Sequence, residues 1–181
     1  MKYMQTGSFQ SHPLMRLTLS LTLLFLIGFV ATNFALYFSR MSLDPASVVR
    51  YYNGSEEDFH PPRSVQSMLE VTHGHLPMMA MVLLLLTHLT IFTPFSRRTK
   101  TAFIVVPFLA GLLNEGSGWL VRFLDPGFAW LKVVAFVVLQ GSLILLLLLL
   151  SIFLVRSRNG SGNGAGVPSE ASSPDRIPTK E

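Results

Sequence analysis

The chain has 181 residues, half of them hydrophobic and 13% charged, with no cysteine and a formal net charge of +4. A mean hydropathy of +0.47 separates it from soluble globular domains, and the lack of cysteine excludes disulfides, thiolate metal sites and cysteine nucleophiles. Its basic residues flank apolar stretches instead of gathering on a soluble face, which argues for membrane orientation and against nucleic-acid binding.

Residues 1–16 form a polar N-terminal segment. Four apolar stretches follow, at 17–38, 71–95, 101–123 and 129–155. Each is close to or above the ~20 residues that carry a helix across about 30 Å of hydrocarbon. Isolated strands would leave backbone groups unpaired in lipid, so helices are expected. The first stretch has too long an apolar core for a secretory signal and no A-x-A site after it, so it reads as an uncleaved anchor. The expected fold is an all-α integral membrane protein: a four-transmembrane-helix bundle over 17–158, with a loop at 39–70 between helices 1 and 2. Residues 159–181, rich in Gly, Ser and Pro, are expected to be a disordered tail.

Charge suggests the orientation. Lys2, Arg16, Arg97, Arg98, Lys100, Arg156 and Arg158 fall on one side of a four-span topology, against Arg40, Arg50, Arg63, Arg122 and Lys132 on the other. Seven against five, with the five spread among acids, places both termini in the cytoplasm of a bacterial-type cytoplasmic (inner) membrane. The 39–70 loop is then outside. Within it, Asp44-Pro45 reads as a cap and first-turn pair for a short helix. Asn53-Gly54 signals a turn, and with Ser55 it also matches a glycosylation acceptor. Pro61-Pro62 breaks the chain before helix 2. Ser67 to Glu70, "SMLE", matches a capping box in which Glu70 reaches back to the Ser67 amide.

Helix 2 opens on "VTHGHLPMMAM", with His73, His75 and Met79 near the outer boundary, and carries His88 about 20 Å deeper. Helix 3 brings Asn114 and Glu115 to just below that boundary and Arg122 to it, and Asp125 follows in the next connection. His60, His73, His75, Glu115, Arg122 and Asp125 thus converge on one outer layer. Ionisable residues in a span face a cavity or a partner, and they mark function. His73 and His75 point about 160° apart on a regular helix and converge only if residues 71–76 are extended. Pro77 permits this if the helix starts near Gly74. Met79 lies within about 40° of His75, although methionines here also serve as adaptable packing. His88, Asn33 and Gln140 read as interhelical hydrogen-bonding groups, and Gly116 and Gly118 as close-packing positions.

His75 and His88 on one span resemble the ligating helix of the diheme cytochrome b family, but the spacing of 13 turns them about 140° apart and no other span supplies partner histidines. "THGHL" resembles the His-x-His-Leu entry of helices related to the haem-copper oxidase core. "PPRSVQSMLEVTHGHL" as a whole is similar to small uncharacterised four-helix bacterial membrane proteins, a resemblance that implies no activity.

The expected function is a redox-linked accessory component that binds haem b, or a copper or zinc ion. His60, His73, His75 and His88 are the candidate haem ligands. His73, His75 and Met79 are the candidate metal ligands. Glu115, Arg122, Asp125 and Glu70 are expected to support them or carry protons. The alternative is a cofactor-free accessory or assembly subunit whose polar residues are packing contacts. H-E-x-x-H and nucleophile motifs are absent, which disfavours a hydrolase. Expected partners are the lipid bilayer and other membrane-protein subunits, or further copies of the chain.

Overall fold

The computed structural model describes residues 13–57, 59–91 and 95–160. The expected tail beyond residue 160 and residues 1–12 lie outside the described residues. The protein is all-helical and integral to the membrane. The order is α1 (Pro13–Phe38), α2 (Pro45–Asn53), α3 (Val65–Thr90), α4 (Arg97–Phe123), a 3-10 turn (Pro126–Phe128) and α5 (Ala129–Gly160). Among the described residues, α1, α3, α4 and α5 are long and apolar enough to cross a bilayer.

Local chemistry sets each boundary. Asp44 accepts from the Ala46 amide and Pro45 opens α2, as the Asp-Pro pair predicts. Gly54 ends α2 at φ +83°, where an added Cβ would sit 2.5 Å from the His60 carbonyl oxygen, so the turn requires glycine. Helix α3 starts at Val65, before the Val71 expected for the span, because Ser64 is the N-cap and takes the Ser67 amide at 3.2 Å. This corrects the Ser67 capping box: Ser67 lies inside the helix, and Glu70 accepts from Gln66 Nε2 at 3.1 Å. The start near Gly74 is corrected too. Pro77 is internal to α3, and its missing N–H leaves the His73 carbonyl without its usual helical donor.

Helix α5 is the centre of the bundle. Half of its most apolar window is buried, against 11% for α1. Leu139, Leu143, Leu146 and Leu147 of α5 meet Leu26 and Val30 of α1, Val82, Leu83 and Leu86 of α3, and Ala110 of α4. Tyr37 of α1 stacks on Phe136 of α5 at 3.7 Å between ring centroids. In lipid such contacts hold helices together by packing, since the tails are as apolar as leucine.

Helix α2 closes one end of this bundle, called here the capped end. Its Val48 is fully buried with Val121, Ala129 and Val133, and Asn53 Nδ2 donates to the Val121 carbonyl at 3.3 Å. That engagement makes Asn53 a structural residue and a poor glycosylation acceptor.

Candidate functional site

Helices α3 and α4 run antiparallel, and their side chains meet in successive rungs below the capped end. Trp119 Nε1 donates to Thr72 Oγ1 at 3.0 Å. One turn on, His75 Nδ1 meets Glu115 Oε1 at 2.8 Å. A further turn on, Met79 lies against Gly111, where a Cβ would come within 2.6 Å of its sulfur. Steps of three and four residues along α3, and of four along α4, keep these pairs on one face. A carboxylate only accepts, so Nδ1 carries the hydrogen of the 2.8 Å bond. The His75 side chain is 55% exposed and that of Glu115 only 11%. The acid therefore sits inside and the imidazole on the flank, ten residues and about 15 Å along α3 from Val65.

A cation backs the pair. Lys132 of α5 is 6% exposed. Its Nζ donates to the Asn114 carbonyl at 2.6 Å, an oxygen that Ser117 Oγ also reaches at 3.0 Å. Lys132 stands within electrostatic range of Glu115 and 6.0 Å from the Tyr52 ring centroid. Tyr52 of α2 is seated on Gly118, where a Cβ would fall 2.7 Å from its Cζ and Oη. Burial lifts the Tyr52 phenol well above the usual tyrosine range, so it remains a neutral hydroxyl. Gly118 thus packs closely as expected. Gly116 faces nothing within 4 Å, and Gly111 takes the packing role expected of it.

Glu115 also lines a narrow cleft of about 40 Å³ between α2, α3 and α4. Tyr51, Arg63, Ser67, Thr72 and Trp119 are among its walls. The volume suits one to three waters and lies far below the several hundred Å³ of a cofactor pocket.

The other expected residues do not join this site. His73 is exposed on helical backbone, so it diverges from His75 as a regular helix demands. His60 lies in the loop, bridged to Ser55, and His88 is exposed near the far end of α3. Arg122 Nε donates to the Arg63 carbonyl at 2.9 Å, and the guanidinium lies over the Phe123 ring instead of pairing with Glu115. Asp125 caps the 3-10 turn, accepting from the Gly127 amide at 2.6 Å. Among the described residues no three His, Asp or Glu side chains gather as a metal-holding group. Gln140 is buried with its Oε1 unpartnered, and no hydrogen bond joins it to Asn33. Lys132 and Tyr52 were missed as site residues. The sequence signal for Lys132 was a cation four residues into a span, read only as a contribution to orientation.

A family model for a transmembrane helical domain matches residues 42–161. The chain belongs to that family. The match takes in α2 to α5, and hence the whole His75–Glu115–Lys132 cluster, and begins after α1. No curated protein and no solved structure matches the chain. The likenesses to diheme cytochrome b and to the haem-copper oxidase core find no support in these comparisons.

Proposed function

We propose that this chain is an accessory subunit of a membrane complex, in a bacterial-type cytoplasmic membrane with both termini cytoplasmic, and that His75 is where it meets its partner. The observation that carries the reading is the imidazole of His75, more than half exposed on the bundle flank and fixed from behind by Glu115. An exposed polar ring at that depth is costly in lipid. A polar group of a neighbouring subunit at Nε2 removes the cost. A cofactor-free contact is supported by the divergence of the histidines and by a cleft of only water size.

A second reading rests on one feature of the same pair. Metal-ligating histidines usually give their other ring N–H to a carboxylate, which fixes the tautomer and raises ligand basicity. His75 Nδ1 is engaged in that way, leaving Nε2 to face outward as an electron-pair donor. It would supply one ligand to haem iron, copper or zinc, with the rest coming from the macrocycle or a partner.

Two measurements on protein extracted in mild detergent separate the readings: native assembly mass, and iron, copper and zinc per chain. An assembly larger than the chain, without stoichiometric metal and weakened by His75→Ala, supports the first. Near-stoichiometric metal lost in His75→Ala supports the second. A metal-free monomer indifferent to the substitution sinks both.

A further inference from the structure

The His75–Glu115 pair and the cleft are neighbours in an order that matters. Glu115 lines the cleft and His75 does not, while Glu115 and His75 share a hydrogen bond. The carboxylate therefore lies between a water-sized passage and an imidazole on the flank. The cleft's lining extends from Arg63 and Ser67, near the capped end, to Glu115 and to Thr72, about one and a half turns along α3 from Ser67. Its walls include the hydroxyls of Ser67, Thr72 and Tyr51, which suit a short hydrogen-bonded water chain.

We propose that the cleft and the His75–Glu115 pair form a proton half-path, joining water at the capped end to the flank of the bundle at His75. A proton delivered to Nε2 by an acidic group at the flank, from a lipid headgroup or a neighbouring polar side chain, makes the ring an imidazolium. The Nδ1 proton passes to Glu115 Oε1, leaving a neutral ring protonated at Nε2. Glu115, now a carboxylic acid, releases that proton to water in the cleft and becomes a carboxylate again. One proton enters, one leaves, and no electron moves. The same steps in reverse restore the starting tautomer, so the pair passes a proton in either direction. The travel is short, since the transferring atoms already lie 2.8 Å apart.

The surrounding charges fit this use. Lys132 from α5 acts electrostatically on Glu115, while its Nζ donates to the Asn114 carbonyl. Arg63, from the connection before α3, is held over the Tyr51 ring at 4.4 Å. Arg40, beyond α1, donates to Tyr51 Oη at 3.1 Å and lies within electrostatic range of His75. Tyr52 of α2 stays neutral. Neither arginine closes on the carboxylate, which lines the cleft beside the Thr72 hydroxyl.

The test uses the full chain in lipid nanodiscs, with ¹⁵N-labelled histidine and His75→Gln to assign the resonance. Ring tautomer and proton exchange with bulk water are read together. The intact chain should show the Nδ1–H tautomer and ready exchange. Ser67→Phe and Val71→Phe each place a ring in the cleft from a different wall position. Whichever keeps the Nδ1–H tautomer has kept the pair, and its exchange should fall at least about tenfold. Glu115→Gln, whose amide can accept from Nδ1–H or donate to a bare Nδ1, should weaken the tautomer preference. Unchanged exchange in a plugged variant that keeps the tautomer overturns the proposal, as does exchange in the intact chain no faster than in the plugged one. The nanodisc contains neither partner nor metal, so the result stands apart from the subunit reading.

Discussion

At the scale of single residues, three glycines of α4 make a graded set. Gly118→Ala drives a methyl into the Tyr52 ring, and an aromatic pinned between helices has little room to yield. A loss of about 1–3 kcal/mol is expected in thermal unfolding in detergent. Gly111→Ala meets the Met79 thioether, the flexible end of a side chain, and should cost less. Gly116→Ala meets nothing, so better helix propensity should leave it neutral or up to about 1 kcal/mol more stable. Equal effects at Gly116 and Gly118 would refute the seating of Tyr52. Charge gives a second contrast. Glu115→Gln leaves Lys132 buried without its nearest anion and should destabilise by about 1–3 kcal/mol. Adding Lys132→Met should recover part of that loss, because the two charges are coupled. A double variant no more stable than Glu115→Gln alone contradicts the coupling. Of these groups, Glu115 and His75 were visible in the sequence as ionisable residues in spans. Lys132 and Tyr52 were not, because their burial depends on how α2 and α5 close over α4, a long-range fact that no spacing encodes.

At the scale of elements, the helices themselves were readable and their ends were not. Apolar runs of about 20 residues are set by bilayer thickness, and this made the four spans evident. The sequence offered Ser67 and Gly74 as starts of α3, and the cap lies before both, at Ser64. That early start puts His73 and His75 on regular helix and separates them. This one boundary dissolves the expected two-histidine site and leaves His75 to pair alone with Glu115. The cap is testable. Ser64→Ala should cost about 1 kcal/mol, and Ser67→Ala should cost little, since its hydroxyl has no capping role. The reverse ranking would restore the Ser67 start, with His73 and His75 still diverging on regular helix. Asp44→Ala should loosen α2 by a similar amount through loss of the Ala46 bond, and it should open the cleft that α2 helps to roof.

At the scale of the whole molecule, function turns on which side of the membrane the capped end faces. Arg97, Arg98 and Lys100 crowd the α3–α4 end with no acid among them, and positive residues near short loops stay cytoplasmic. The proposed orientation turns the capped end, with Glu56 and Glu57 near its surface, outward. The chain has no cysteine, so single cysteines report cleanly. Glu57 and Arg98 are both exposed, at opposite ends of the bundle. Glu57→Cys should react with a membrane-impermeant maleimide on intact cells. Arg98→Cys should react only after the membrane is opened. The opposite pattern reverses the orientation and turns the mouth of the cleft toward the cytoplasm. The rungs between α3 and α4 are intrinsic to the bundle and would be unchanged. The same proton half-path would then draw from cytoplasmic water, and any partner at His75 would sit nearer the inner leaflet.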